Sequence, residues 1–275
     1  MCLVALALAQ SRRFPLVLAS NRDEYFDRDS APLDWWASDA GAAPILGGRD
    51  LRAGGTWLGL GPGGRIGLVT NVRDASRQDN GARSRGELVP AWLASDLPLA
   101  DFWPLIASER YNGFNLVAAD ARGDWFWASN ATASPRRLAA GVHGISNAPL
   151  DIAWPKVTRL KARLQVAVAD AAQNCSVHAL VERLFAALAD RSVATDGELP
   201  STGISLELER VLSAAFIHTP DGRYGTRCST VVVRECDGAR HELHVIERSF
   251  GADGRTALQR CFTLAPFPTG GERKP

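Results

Sequence analysis

Cys2 is the residue of this sequence with the clearest capacity for nucleophilic chemistry, because it directly follows Met1. Methionine aminopeptidases remove Met1 when the next residue is small, and Cys2 would then carry a free α-amine beside its own thiol. That amine can serve as the base for the thiol, as a terminal amine does for a threonine nucleophile. Reference pKa values of about 8 for the amine and about 8.5 for the thiol lie close to neutral pH. Position alone leaves a second interpretation open, since cysteine is also a common small buried residue in a first strand.

A polar motif, Asn21-Arg22-Asp23-Glu24, ends the second apolar segment of the chain. If this segment is extended, neighbouring side chains point to opposite faces. Asn21 and Asp23 then share one face, and Arg22 and Glu24 share the other. The pattern therefore permits substrate contacts from this motif, and it equally permits a structural ion pair between Arg22 and Glu24.

This motif, at its fixed offset from Cys2, resembles the signature of the NRDE family, also called the transport-and-Golgi-organisation family. The resemblance runs over most of the chain through Gly54-Gly55-Thr56-Trp57, Thr70-Asn71, Tyr111-Asn112-Gly113-Phe114-Asn115 and Gly144-Ile145-Ser146-Asn147. It implies an N-terminal nucleophile hydrolase-like fold of the α+β class. In that fold, two antiparallel sheets pack between helix layers as a four-layer αββα sandwich.

A more distant likeness, to choloylglycine and penicillin V acylases, implies roles for single residues. In those enzymes an N-terminal cysteine attacks an amide carbonyl, an aspartate orients its amine, two asparagines bind the oxyanion and a late arginine completes the site. Carried over residue by residue, these roles fall on Cys2, Asp23, Asn71, Asn147 and Arg227. Each donor to a developing oxyanion is worth roughly 3–4 kcal/mol of transition-state stabilisation.

One departure from the acylases concerns the arginine that they carry directly ahead of the position of Asn21. This chain has Ser20 there and carries Arg22 beside Asp23 instead. The departure puts activity on bile-salt or penicillin substrates in doubt. We predict further contacts to substrate from four residues near these motifs, namely Asn21, Arg22, Trp57 and His143. A satisfied surface histidine is the simpler interpretation of His143.

Two functional hypotheses follow from the resemblance. The first is a cysteine amidohydrolase that cleaves a carbon–nitrogen bond in a small non-peptide amide through a Cys2 thioester, without a cofactor. The second is a non-catalytic carrier or binding protein on the same scaffold, for haem or for acyl-CoA and lipid. Fold resemblance alone does not decide between them.

Composition restricts partners and compartment. The chain has 275 residues, 46% of them hydrophobic, and a net charge of +1. This near-neutral balance implies neither a nucleic acid nor an anionic membrane as a partner. No stretch approaches twenty uninterrupted apolar residues, so we predict no membrane insertion. Five cysteines without a Cys-x-x-Cys pair indicate reduced thiols in a cytoplasmic protein. The five histidines lack metal-ligand spacing, and His241 and His244 face opposite ways in an extended strand, so we predict no metal site.

Apolar patterning predicts hairpins first, helices next and strands last, which is typical of an α+β fold. Strands are predicted at 2–9, 14–20, 54–60, 65–72, 114–119, 125–129, 142–146, 228–234, 241–249 and 257–264. Helices are predicted at 88–94, 99–109, from Pro155 to about Ala171, at 177–188 and at 206–216. We predict one domain over residues 1–265 and a flexible tail at 266–275.

Overall fold

The computed structural model describes residues 2–38, 42–74, 76, 78–107, 109–131, 133–174, 176–238 and 240–265, with the backbone alone at positions 2, 133, 173, 174 and 240. Spatial contacts divide the chain into two compact units. Among the described residues, unit 1 consists of those up to Asp27 together with those from Ala140 to Ala265, and unit 2 is Arg28–Ala139. The prediction of a single domain over 1–265 stays a prediction, and the tail at 266–275 lies outside the described residues.

The described residues form strands and helices in the following chain order. The strands are β1 (Cys2–Leu8), β2 (Leu16–Tyr25), β3 (Ser30–Trp36), β4 (Ile45–Asp50), β5 (Leu58–Leu60), β6 (Ile66–Asn71), β7 (Phe114–Ala119), β8 (Trp125–Ser129), β9 (Ala133–Arg137), β10 (Gly141–Ile145), β11 (Tyr224–Asp237), β12 (Arg240–Phe250) and β13 (Thr256–Leu264). The α-helices are α1 (Leu88–Ala94), α2 (Leu99–Ala107), α3 (Pro155–Asn174), α4 (Val177–Leu188) and α5 (Leu206–Leu212).

Unit 1 is built on a six-stranded antiparallel sheet with the strand order β10-β1-β2-β11-β12-β13. Alternate residues of its first hairpin, including Leu3, Ala5, Val17 and Ala19, face a buried apolar cluster. Helices α3 and α4 supply the other side of this cluster, since their apolar residues recur at helical spacing. Those helical residues include Leu160, Leu164, Val168, Leu180, Leu184 and Leu188. Each fully buried leucine or valine contributes about 1.5–3 kcal/mol.

Gly144 allows helix α3 to lie close against strand β10. A Cβ at this position would stand 2.6 Å from Val157 Cγ1 and 2.7 Å from Lys161 Cδ. Only glycine leaves room for so close an approach. The start of α3 is therefore held directly on the edge strand of the sheet, next to the segment that carries Asn147.

Unit 2 is built on a seven-stranded antiparallel sheet in which the strands follow chain order from β3 to β9. Helices α1 and α2 cover one face of this sheet. The shared core contains Val69, Leu88, Trp92, Phe102, Trp103, Phe114, Leu116 and Ala128. The Trp92 indole nitrogen donates to the Ile66 carbonyl at 3.0 Å, which satisfies its polar group inside this core.

Most of the predicted elements are confirmed, including the first hairpin. The second strand of this hairpin is buried on both faces from Leu16 to Asp23. The helix predicted to reach Phe216 is wrong in its end, because α5 stops at Leu212. There the Ser213 hydroxyl donates to the Arg210 carbonyl at 2.6 Å and accepts from the Ala194 amide at 2.8 Å, which competes with further helix. Strands β3, β4 and β9 were not predicted.

The fold class is α+β with two antiparallel sheets, as predicted. The four-layer αββα stacking of an N-terminal nucleophile hydrolase concerns how the two units meet, and it stays a prediction from the resemblance. In the described part of the chain, none of the helices has the length and apolar character needed to cross a bilayer.

Candidate active site

Strand pairing brings four distant parts of the sequence together at one end of the unit 1 sheet. The backbone of Cys2 pairs directly with Arg22 across β1 and β2, and Asp23 pairs with Thr226 across β2 and β11. On the other side of β1, the last registered pair with β10 is Val4 with Ile145. Asn147 lies two residues beyond that pair, in the direction of Cys2.

Asp23 is completely buried at this end of the sheet. The Thr226 hydroxyl donates to Asp23 Oδ1 at 2.8 Å and itself accepts from the Ile217 amide at 2.9 Å. The Tyr224 hydroxyl donates to the Asp23 carbonyl at 3.2 Å. Burial raises the pKa of Asp23, although the positive charge of Lys156 opposes this rise. The carboxylate is therefore fixed in orientation and removed from water.

Lys156 is the functional candidate that the sequence did not reveal. It is the second residue of α3 and is only 1% exposed. Both burial and the positive end of a helix dipole disfavour an ammonium at this position. The nearby carboxylate of Asp23 offsets that cost, because the charges of the two groups attract each other. A lysine held buried against a carboxylate is more typical of a functional site than of a core.

Arg22 is 5% exposed and contributes a second buried cation. Its Nη2 lies 3.9 Å from Glu24 Oε2. The ion pair that the sequence permitted is therefore present, at nearly the longest distance at which two groups count as a salt bridge. Glu24 also accepts the Tyr25 amide through Oε1 at 3.0 Å. At such a length the pair is a weak restraint on Arg22.

Arg227 is the extra residue of a β-bulge. The register of β11 on β2 shifts between Thr226, which pairs with Asp23, and Cys228, which pairs with Arg22. Bulges of this kind occur next to active sites, where they redirect a side chain. The guanidinium of Arg227 donates from Nη1 to the Tyr25 carbonyl at 2.8 Å, and it stacks 5.1 Å from the ring centroid of Phe26.

Asn147 is 1% exposed and accepts the Ser146 hydroxyl at 3.3 Å. The loop that carries it is anchored at Asp151, a non-glycine residue with φ of +63°. Asp151 Oδ1 accepts the Gly144 amide at 2.8 Å and Lys161 Nζ at 2.6 Å. These contacts hold the loop against β10 and α3, so the position of Asn147 is determined by its surroundings.

His143 contributes to the same anchor, because its Nδ1 lies 3.0 Å from Asp151 Oδ2. Burial raises the pKa of Asp151, but hydrogen bonds from His143 and Lys161 outweigh it and hold this pKa well below its usual value. The structure thus gives His143 a loop-positioning contact. Its predicted substrate contact has no observation of its own in the structure.

Asn21 lies on the helix face of β2 together with Asp23, as the alternation predicted. Its amide nitrogen donates to the carbonyls of Leu188 at 2.9 Å and Ala215 at 2.8 Å. Its amide oxygen accepts the Ser229 hydroxyl at 2.6 Å. Since Leu188 ends α4, Asn21 satisfies a carbonyl that the helix itself leaves unpaired. These bonds give Asn21 a structural role rather than the substrate contact that we predicted.

Comparisons with known proteins identify the family. The sequence model described as Transport and Golgi organisation 2 matches residues 1–252. The chain belongs to the Transport and Golgi organisation 2 family. It is 34% identical to the Transport and Golgi organization protein 2 homolog of Bos taurus over 242 residues, which cover 82% of this chain and 84% of that protein. It is 32% identical to the Mus musculus homolog over 240 residues, with the same coverage.

Among solved structures, the chain is similar to a mutant conjugated bile acid hydrolase from Clostridium perfringens. The TM-score is 0.47 and the sequence identity is 8%, with 98% of each chain covered.

Two residues carried over from the family motifs lie in unit 2. Asn71 is the last residue of β6, where it pairs with Phe114 and is partly exposed. Trp57 is 8% exposed, and its ring lies over Gly48, where a Cβ would come within 2.3 Å of the indole. Their predicted contacts to oxyanion and substrate stay predictions. Of the predicted catalytic residues, unit 1 therefore brings Cys2, Asp23, Asn147 and Arg227 to the same end of its sheet.

Proposed function

We propose that this member of the Transport and Golgi organisation 2 family is a cysteine amidohydrolase that cleaves a carbon–nitrogen bond in a small non-peptide amide. The observation that carries the proposal is the convergence in unit 1. Cys2 is registered against the buried Arg22, next to the buried Asp23 and the bulge at Arg227, with Asn147 beyond the other side of β1. Buried charges at one end of a sheet are costly to fold, and their presence favours a chemical role.

The reaction begins once Cys2 has become the first residue. Its α-amine takes the proton of the thiol, and the resulting thiolate attacks the amide carbonyl carbon. The carbonyl oxygen carries the negative charge of the tetrahedral intermediate, for which Asn147 is the proposed donor. The carbon–nitrogen bond then breaks, and the leaving amine takes the proton from the Cys2 ammonium. Water hydrolyses the thioester, which releases a carboxylic acid and regenerates the thiol.

The buried charges have distinct tasks in this sequence of steps. The Asp23 carboxylate attracts the Cys2 ammonium and orients the amine while it accepts and returns the proton. The positive charge of Lys156 opposes the rise that burial causes in the pKa of Asp23. Arg22 and Arg227 favour a thiolate and attract an acidic group of the substrate. Removal of Asp23 is therefore expected to slow thioester formation and its hydrolysis together.

Trapping of the acyl-enzyme tests this proposal. Protein is incubated with a panel of N-acyl amides and p-nitroanilides that differ in acyl length and charge, and mass spectrometry locates any acyl group. The proposal expects one acyl adduct on Cys2 that hydroxylamine removes, together with steady release of amine. Cys2→Ala should abolish both, and the matched control Cys261→Ala, which alters an exposed thiol, should retain them. Turnover that survives Cys2→Ala would refute the proposal.

A carrier for haem or for acyl-CoA and lipid is the alternative from the sequence, and the same protein preparations distinguish it. Saturable binding of haem or acyl-CoA at micromolar concentration, without amine release from any amide, would favour the carrier. Hydrolysis without such binding would favour the enzyme.

A further inference from the structure

A second group of polar side chains, each partly buried, lies at the opposite end of the unit 1 sheet from Asp23. We define the carboxylate–histidine cluster as Glu235 on β11 with Glu242 and His244 on β12. Their ligand atoms all lie within 4.8 Å of one another. Nine positions along β11 separate Glu235 from Thr226, so the cluster is roughly 30 Å from the Cys2 end of the sheet.

The register explains why these three side chains meet. Glu235 pairs directly with Glu242, and His244 pairs with Val233 on the same face of the two strands. Two glutamates directly opposite each other repel, and such a pair destabilises a sheet unless a cation lies between them. The two side chains are only 13% and 12% exposed, so water screens this repulsion poorly. Arg13 Nη2, 2.7 Å from Glu235 Oε1, offsets part of this repulsion from one side, and a cation between the two carboxylates would offset it further.

His244 points its Nε2 at both carboxylates without reaching either as a hydrogen-bond donor. Nε2 lies 3.6 Å from Glu235 Oε2 and 3.6 Å from Glu242 Oε2. Among the described residues this nitrogen is buried and has no hydrogen-bond partner. A separation of 3.6 Å is too long for a hydrogen bond. Two ligands that each lie about 2.0–2.2 Å from one tetrahedral metal ion are separated by about 3.3–3.6 Å.

Neighbouring residues orient the ligand atoms toward this common centre. Arg13 binds Glu235 Oε1 from Nε at 3.0 Å and from Nη2 at 2.7 Å, which turns Oε2 toward His244. The Thr263 hydroxyl lies 3.2 Å from His244 Nδ1 and fixes the ring from its other side. Metal-binding histidines and carboxylates commonly have partners of this kind, which set the ring orientation and the free oxygen.

We propose that the carboxylate–histidine cluster binds one divalent transition-metal ion, with zinc as the best match to its ligands. One imidazole nitrogen and two carboxylate oxygens suit zinc, which prefers four-coordinate sites of nitrogen and oxygen ligands. Three protein ligands leave a fourth position for water or for a small anion. The ion places positive charge between the opposed glutamates and joins β11 to β12 at the end of the sheet.

The sequence did not reveal this site because its ligands pair across strands. We predicted no metal site partly because His241 and His244 should face opposite sides of a strand, and the register does place them on opposite faces. The partners of His244 are instead on the adjacent strand and two residues along its own strand. Only the pairing of Glu235 with Glu242 brings the three together.

Metal titration of tag-free, full-length protein tests the proposal. After removal of metal with EDTA and dialysis, zinc is titrated by calorimetry, and cobalt is titrated by visible absorption. We expect one zinc per chain, a rise in the melting temperature on binding, and the intense visible bands of four-coordinate cobalt. His244→Gln and Glu242→Gln should each weaken binding 10–100-fold, the usual effect of losing a group that holds a metal.

His241→Gln is the matched control, because His241 is exposed and its Nδ1 lies 3.2 Å from Cys236 Sγ on the other face of the sheet. This variant should bind zinc as the unaltered protein does. Circular dichroism establishes whether each variant is folded. If His244→Gln fails to fold, Glu242→Gln still tests the site, because it removes a charged ligand and also relieves the repulsion between the two glutamates. The proposal is overturned if micromolar zinc gives no saturable binding, or if affinity survives both ligand variants. Loss of binding in His241→Gln alone would also overturn it.

Discussion

Both units of this protein bury neutral polar groups, but unit 1 also buries several charged side chains. Arg22, Asp23 and Lys156 are each at most 5% exposed, and Glu209 and Glu247 are buried as well. In unit 2, the buried polar residues that the structure describes are mostly neutral, namely Thr56, Thr70, Asn115 and Ser129, together with Asp50. Asp50 has a partner at the surface, since Arg28 Nε donates to it at 2.7 Å while Arg28 remains 27% exposed.

The difference lies in the free energy that each kind of buried group costs. Neutral amides and hydroxyls that bond one another, such as Asn115 with Thr70 and Trp127, specify a sheet at little cost. Buried charges cost several kcal/mol unless paired, and apolar residues would support the same strands. Unit 1 therefore carries buried charges at one end of its sheet, and such charges are what the proposed reaction would need.

Removal of the buried cation in unit 1 should have the largest effect on stability. Lys156→Met leaves Asp23 buried without its opposing charge and is expected to cost about 3–5 kcal/mol in the free energy of unfolding. The matched change in unit 2, Arg28→Met, breaks a partly exposed pair and should cost at most about 1 kcal/mol. Urea unfolding followed by circular dichroism measures both. If Lys156→Met and Arg28→Met lowered the free energy of unfolding equally, the buried charge of unit 1 would be no more important for stability than the partly exposed pair of unit 2.

Removal of one buried amide from each unit should give smaller and more similar losses. Asn115→Ala leaves the partners Thr70 and Trp127 unpaired and is expected to cost roughly 1–3 kcal/mol. Asn21→Ala leaves two carbonyls and the Ser229 hydroxyl without their bonds, so its cost should be the greater of the two. Thermal and urea unfolding provide the measurement. A smaller loss for Asn21→Ala would contradict its assigned role in joining β2 to α4.

The pH dependence of stability should distinguish two aspartates of unit 1. Burial raises the pKa of Asp23 in the folded protein, although Lys156 opposes the rise. The contribution of Asp23 to stability is therefore complete below 3.8, its pKa in the unfolded chain, and is lost as the pH rises through the folded pKa. Burial also acts to raise the pKa of Asp151, but the hydrogen bonds from His143 and Lys161 outweigh burial, so the folded pKa lies below the ordinary value. Its contribution is therefore present above 3.8 and is lost as the pH falls.

Two variants measured by urea unfolding at pH 3.5 and pH 7.5 test these opposite signs. Asp23→Asn should cost more stability at the lower pH, and Asp151→Asn should cost more at the higher pH. The unit 2 variant Asn115→Ala should cost the same at both, because no titrating group is removed. If both aspartate variants lost stability in the same direction of pH, the assigned environments would be wrong.

Most of the fold could be predicted from the sequence, because the core strands and helices carry clear apolar periods. The exceptions are strands whose residues give little local signal. Strand β3 contains Pro32, β4 contains Gly47 and Gly48, and β9 contains Pro135. These segments become strands because a neighbouring strand pairs with them. Strand propensity depends strongly on such context, so single-sequence patterns cannot detect it.

The candidate site was predictable only in part. Motif spacing indicated Asp23 and Asn147. In the sheet, Asp23 directly follows Arg22, the residue that pairs with Cys2, and Asn147 lies two residues beyond the Val4–Ile145 pair at the same end. Lys156 was missed because a lysine at the start of a helix is normally exposed, and its burial depends on the packing of α3 against β10. The β-bulge at Arg227 was likewise not predicted. A bulge is defined by the pairing of β11 with β2, and it leaves no recognisable pattern in the sequence of β11.

The proposed function depends on Cys2 becoming an amino-terminal, activated thiol, and mass spectrometry of the native protein measures this. Intact mass is recorded before and after brief exposure to a thiol-reactive probe at pH 6.5, and peptide mapping compares Cys2 with the exposed Cys261. We expect a chain that lacks Met1, with Cys2 labelled at least about tenfold faster than Cys261. A chain that retains Met1, or one in which Cys261 reacts first, would contradict it.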